Sequence, residues 1–200
     1  MMTLSRSLIF VFLILLIDQW SKVYIKTNFY LYESYKVFGQ EWFQIYFIEN
    51  EGMAWGTKLP GDYGKLALTI FRIIAVFGIS FWLFDSIKKK ASQLLIFAVC
   101  LILAGAIGNI VDSVFYGLIF DHSEGQVATL FSDKPYGEIF YGKVVDMFYF
   151  PLFEFTWPDW MPYLAGKPFR FFNAIFNVAD FVISTGIGIL LVFNKRVFKN

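Results

Sequence analysis

A few polar residues stand inside or against apolar runs of this chain, at spacings that suit acid–base chemistry. Asp18 and Lys22 are four apart in "DQWSKVYI". Asn109 and Asp112 are three apart in "GNIVD", and Asn177 and Asp180 are three apart in "NVAD". On a helix, such pairs share a face. Asn50 lies in "ENEGMAWG" and Asp146 in "GKVVDMF". No nucleophile–base pair stands out. His122 is the only histidine, Cys100 the only cysteine, and no Ser–Lys spacing is distinctive. Carboxylates alone still have one hydrolytic option. Two aspartates about 3 Å apart share a proton, because both cannot ionise there. The ionised member activates a water, and the protonated member donates to the attacked carbonyl. Asp146 and Asp180 are the two carboxylates with no obvious cation or same-helix partner carboxylate. Composition does not choose them unaided, and each feature has a plainer alternative. Asp18–Lys22 also serves as a neutralised helix anchor. Asn109–Asp112 also serves as an interhelical clamp, helped by small Gly105 and Gly108. Asn50 also fits a turn. Helix capping by Asp180 is disfavoured, because Ala174, Ile175 and Phe176 before it read as already helical or apolar.

The elements that position these residues belong to a membrane. The chain has 200 residues, 58% hydrophobic, 22% aromatic and 16% charged. A soluble domain averages about 45–50% apolar and about 25% charged. An all-α membrane protein is expected, as one integral domain over 1–200 with four transmembrane helices and a small β-structured outer region. A bilayer core needs about 20 residues of helix. The expected spans are about 8–25, 66–87, 94–115 and 174–193. The first is a poor signal peptide, since "DQWSK" stands where a small-residue cleavage site would be. A net charge of +1 gives no reason to expect a nucleic-acid partner. One cysteine and one histidine leave no metal cluster and no internal disulfide to expect.

Basic residues set the orientation. Arg6, Lys88–Lys90, and the Lys195, Arg196 and Lys199 tail fall on one side if four helices span. That side is expected to be cytoplasmic, with both termini there. The outer segments are then about 28–65 and 116–173, and all the polar pairs sit toward the outer leaflet. Alternation in "EWFQIYFIEN" suggests strands. The link 116–173 is rich in Phe, Tyr, Trp and Pro, which suits the headgroup level. "VFYGLIFD" and "IFYGKVVD" look like a small local duplication.

Five stretches in order, "DQWSKVYI" (18–25), "NEGMAWG" (50–56), "GAIGNIVDSV" (105–114), "VVDMF" (144–148) and "FNVAD" (176–180), resemble the motifs of the bacterial lipoprotein signal peptidases. The resemblance spans nearly the whole chain. It implies an intramembrane aspartic endopeptidase of the bacterial inner membrane, working without a cofactor. The implied substrate is a prolipoprotein carrying a diacylglyceryl group on its cysteine, cut just before that cysteine. By motif, Asp146 and Asp180 take the catalytic positions. Asp18, Lys22, Asn50, Gly52, Asn109, Asp112 and Asn177 take supporting ones. Membrane lipid is the other implied partner.

Two departures from the family pattern stand out. The family usually carries Arg directly after the aspartate of the "GN-x-x-D" motif, and Ser113 stands there. Either another cation, Lys143 or Arg170, compensates, or the local network is rewired. The link between Asp112 and Asp146 is also longer than usual, which makes Asp121 in "LIFD" a rival for the first catalytic position. The alternative function is a small proton- or ion-coupled transporter using buried carboxylates. Against it, the polar groups cluster at one face of the membrane and line no path across.

Overall fold

In the computed structural model, residues 2–51 and 63–198 are described. Helix α1 (Leu4–Asn28) begins at the N-cap Thr3, whose hydroxyl accepts from the Arg6 N–H. Helices α2 (Gly64–Lys88) and α3 (Gln93–Ile119) follow, with Ser92 capping α3 through the Leu95 N–H. These three helices are long and apolar enough to cross a membrane. Helix α3 is the central one, buried along most of its length, and it packs against α1, α2 and α4 (Val178–Val192). Most of the α2 surface is exposed, with Phe71, Ile74, Phe77 and Phe81 pointing away from the protein. A short α5 (Asn194–Val197) ends the described chain.

The fourth apolar segment differs from expectation. The sequence predicts helix from 174; the helix starts at Val178. Ile175 and Phe176 form a strand instead, and Asn177 caps the helix. At 15 residues, α4 is short for a span, since about 20 are needed.

The extended segments make two sheets. Strands β1 (Ser34–Lys36), β2 (Gln44–Asn50), β3 (Val144–Tyr149) and β6 (Ile175–Phe176) run in the order β1-β2-β3-β6, antiparallel throughout. The alternation read in 41–50 is thus a strand. "VVDMF", expected only as a short apolar stretch, is a strand at the sheet's centre. Ile48 opposes Asp146 and Asn50 opposes Val144, so Asn50 and Asp146 are diagonal neighbours on one face. On the other face Phe47, Val145 and Met147 pack with Ile25, Tyr116 and Phe120. Strands β4 (Phe153–Thr156) and β5 (Pro168–Phe171) form a separate ribbon between β3 and β6.

One end of the bundle gathers the termini and the α2–α3 turn. The Met2 N–H donates to Gln93 Oε1 at 2.9 Å, and Ser92 Oγ donates to the Val197 carbonyl at 2.8 Å. The sheet stands at the opposite end, where α1 and α3 finish and α4 starts.

Apolar helices gain little from burial against one another in lipid, so close fit decides their association. Helices α3 and α4 meet at small residues. A Cβ on Gly105 would lie 2.3 Å from the Ala179 carbonyl oxygen, and one on Gly108 would lie 2.5 Å from Asp18 Oδ2. Replacing a helical glycine by alanine normally gains about 0.5–1 kcal/mol. Overpacking costs about 1–3 kcal/mol, and here the obstacle is backbone. Gly105→Ala is therefore expected to lower the thermal unfolding midpoint in detergent. Gly78→Ala on α2, where nothing lies within 4 Å, is expected to leave it unchanged or raise it.

Candidate active site

A buried ion triad lies beneath the site. Lys22 Nζ is 3.0 Å from Asp18 Oδ2 and 2.8 Å from Asp112 Oδ2, and all three side chains are essentially inaccessible. The i, i+4 spacing sets the first pair, and α3 brings the second acid. The same ammonium donates to Asn109 Oδ1 at 2.9 Å, so its three N–H donors are used. Gln19 completes the layer. Its Nε2 donates to Asp18, to Asp112 and to the Gly108 carbonyl at 2.9–3.1 Å, and its Oε1 accepts from the Tyr116 hydroxyl.

Each triad acid also grips backbone. Asp18 Oδ1 accepts from the Ala179 N–H at 2.9 Å, and Asp112 Oδ2 accepts from the Val145 N–H at 3.4 Å. Those two residues immediately precede Asp180 and Asp146. The triad thus holds α4 and β3 by the peptide next to each upper aspartate.

Above the triad, two asparagines join Asp146 and Asp180. Asn177 Nδ2 donates to Asp146 Oδ1 at 2.7 Å and to Asn109 Oδ1 at 3.2 Å. Asn109 Nδ2 donates to Asp180 Oδ1 at 2.8 Å. Asn50 Nδ2 donates to Asp146 Oδ2. Asn177 and Asp180 also form a reciprocal capping box: Asn177 Oδ1 accepts from the Asp180 N–H, and Asp180 Oδ2 accepts from the Asn177 N–H. Capping by Asp180, disfavoured on sequence, is therefore real, because the chain before Asn177 is strand. Such a cap contributes about 1 kcal/mol.

The two upper aspartates differ in setting. Asp146 is 3% exposed, whereas Asp180 is half-buried at the first turn of α4. Burial, and then the charge of Asp180, push the Asp146 carboxyl well above the usual carboxylate range.

The remaining expected residues are placed as follows. Gly52 lies outside the described residues. Asp121 stays in the inserted segment, where its Oδ1 accepts from the Thr129 N–H at 2.7 Å. Neither expected cation reaches Ser113. Lys143 Nζ stands 3.6 Å from Glu49, and Arg170 pairs with Glu154 at 2.8 Å. The cation at Ser113 is Arg72 of α2, whose Nη1 donates to Ser113 Oγ at 3.4 Å. Its guanidinium is within electrostatic reach of Asp180, Asp112 and Asp146. Sequence reasoning passed over Arg72 because nothing local ties 72 to 113. Gln19 carried a usable signal, as the amide beside Asp18 at the end of an apolar run. Among the described residues, no group of three or more His, Cys, Asp or Glu could hold a metal ion.

The signal peptidase II family's sequence model matches residues 10–195. The chain is 47% identical over 187 residues to the lipoprotein signal peptidase of Porphyromonas gingivalis, with 92% of this chain and 80% of the relative covered. It is 35% identical over 190 residues to that of Amoebophilus asiaticus, covering 92% and 75%. Two solved structures of a bacterial membrane enzyme share the fold, with TM-scores of 0.62 and 0.64 at 22% identity, each over 98% of this chain and 93% or 95% of theirs.

Removing the central lysine leaves two buried carboxylates uncompensated, at a cost of about 3–5 kcal/mol. Lys22→Met is expected to give little folded protein, measured as the monodisperse fraction on size exclusion in detergent.

Proposed function

Because the chain belongs to the signal peptidase II family, a family of membrane proteases, we propose that Asp146 and Asp180 are its catalytic dyad. The observation that carries this is the join just described. Asn177 and Asn109 tie the two carboxylates together at the end of the bundle, and among the described residues no histidine, cysteine or second lysine stands with them. The pair holds one shared proton and titrates as a unit. Asp146, the deeper member, carries that proton. Asp180, the less buried of the two, accepts from Asn109 and the Asn177 N–H at the first turn of α4, a setting that suits a base that activates water. The attacked carbonyl takes the proton from Asp146. Asp180 passes the proton it took from water to the departing nitrogen as the C–N bond breaks, and the diol returns a proton to Asp146, leaving a new carboxyl terminus and an amine. Arg72 places positive charge beside the pair, where negative charge develops on the carbonyl oxygen.

The substrate is a prolipoprotein with a diacylglyceryl group on its cysteine, cut just before that residue. Four helices span the inner membrane, α4 with α5 making the fourth. The end that gathers both termini and the basic turn is cytoplasmic. The dyad then opens toward the outer leaflet, where a lipid-anchored substrate arrives sideways along exposed helix faces. Asp18, Lys22, Asn50, Asn109, Asp112 and Asn177 support the dyad. Nothing supports the ion-coupled transporter alternative.

Asp146→Asn and Asp180→Asn are each expected to cut cleavage of a lipidated prolipoprotein by at least about 10³-fold while the protein still folds and inserts. Asp121→Asn is expected to cleave normally. Full processing by either dyad variant in a background free of wild-type enzyme would sink the assignment. The pH profile carries a second expectation. Activity falls at low pH when both carboxyls are protonated, and at high pH when Asp146 loses its proton. Since Asp146 is shifted upward, the alkaline limb of kcat/KM is expected well above the ordinary carboxylate value of about 4. A rate that climbs without limit toward alkaline pH contradicts a shared proton.

A further inference from the structure

The last two residues of β2 face opposite ways. Asn50 reaches Asp146, while Glu49 opposes Val145 and turns to the other face of the sheet. There Glu49 is 4% exposed and paired with Lys26, itself 1% exposed. The inserted segment 120–143 closes over this pair. Ser123 Oγ donates to Glu49 Oε1 at 2.7 Å and accepts from Lys26 Nζ at 2.9 Å. The Lys26 ammonium lies over the rings of Phe120 and Tyr136, at 5.2 and 5.0 Å from their centroids. Lys143 stands 3.6 Å from the second oxygen of Glu49, and its backbone N–H donates to the Tyr136 hydroxyl at 2.6 Å. The insertion is itself anchored on α3, through Gly137 N–H to the Gly117 carbonyl and Gly142 N–H to the Ser113 carbonyl. Burial pushes the Glu49 carboxyl up, and the Lys26 charge together with the hydrogen bonds from Lys26 and Ser123 outweighs it, leaving it below the usual range.

A buried ion pair of this kind adds little stability over apolar side chains of the same size, but it can fix register. Register is the issue here. The β2–β3 ladder is irregular between Ile45 and Ile48. A slip by one residue turns every side chain to the opposite face. Such a slip would bring the Glu49 carboxylate, in place of the Asn50 amide, against Asp146.

We propose that the 120–143 insertion is a register lock for the active site, in which Ser123, Glu49 and Lys26 are positioning residues that hold Asn50 against Asp146. The proposal rests on the dyad reading above. It assigns a role to a segment that the family motifs leave out.

The test uses the full-length enzyme in detergent with a lipidated prolipoprotein. Ser123→Ala removes one contact from each ion and leaves the pair intact. It is expected to lower kcat about three- to tenfold with KM within about twofold, since misplacing a reacting group acts on the chemical step. The Lys26→Met/Glu49→Gln double variant removes both charges and is expected to lower kcat further. In both, the alkaline limb of the pH profile is expected to move to higher pH, because the Asn50 donation that favours the ionised form of Asp146 is weakened. In an Asn50→Ala background, Ser123→Ala is expected to lower the residual rate no further. Wild-type kcat and pH profile in both variants would overturn the lock. So would a Ser123→Ala loss that persists in full without Asn50, because the residue would then act elsewhere. Asp146→Asn, run alongside, separates the two readings. An active Asp146→Asn enzyme overturns the dyad, whereas an inactive one beside unaffected Ser123→Ala overturns the lock alone.

Discussion

The placement of one ammonium group, Lys22 Nζ, decides where the rest of the site can be. An ion in an apolar interior costs several kcal/mol unless it is paired and its donors are used. Lys22 meets that demand with carboxylates from two helices, Asp18 on its own and Asp112 on α3, and with the Asn109 amide. Each carboxylate still has lone pairs to satisfy. Asp18 takes the Ala179 N–H at the start of α4 on its second oxygen, and Asp112 takes the Val145 N–H of β3 on the oxygen that also meets Lys22. A requirement of electrostatics is thereby converted into fixed backbone positions for Asp180 and Asp146. Asparagines, which carry no charge, do the joining above, so relief of the field between the two upper acids falls to Arg72 and Lys22.

The sheet extends this arrangement outward. Its inner face carries Asn50 and Asp146, and its outer face carries Glu49 and Val145. Alternation along two strands separates the site's polar groups from their support within a single layer. The helices below use a different device, close approach at Gly105 and Gly108, which lets α4 sit near enough to α3 for Asn109 to reach Asp180.

Much of this was legible in the sequence, and the misses have physical causes. Three long helices follow from hydropathy alone, and the Asp18–Lys22 pair from spacing. The other polar residues around Asp146 and Asp180, namely Asn50, Asn109, Asp112 and Asn177, lie in ordered motifs. "VVDMF" was not legible as a strand, because a short apolar run has no period that separates strand from helix. The start of α4 was misread for the same reason: Ile175 and Phe176 are apolar, yet their partners are Tyr149 and Phe148 of β3. The contacts of Arg72 with Ser113 and of Lys26 with Glu49 were invisible because each joins residues far apart in sequence. Lys143 and Arg170 were reasonable cations by type, but nearer acids, Glu49 and Glu154, hold them.

The chain between β3 and β6 is a long excursion that leaves and re-enters at adjacent rungs, Tyr149 opposite Ile175. The ends of that excursion are pinned by the ladder, by the Tyr149 hydroxyl donating to Asn173 Oδ1, and by Arg170 donating to the same hydroxyl. Closing a flexible loop costs only about 0.6 kcal/mol more for each doubling of its length. The number of residues separating the two aspartates along the chain is therefore almost irrelevant to the distance between them. The β4–β5 ribbon can lengthen, shrink or change composition while Asp146 and Asp180 stay put. This leaves the enzyme a free place for acquiring new surface without disturbing the join between them.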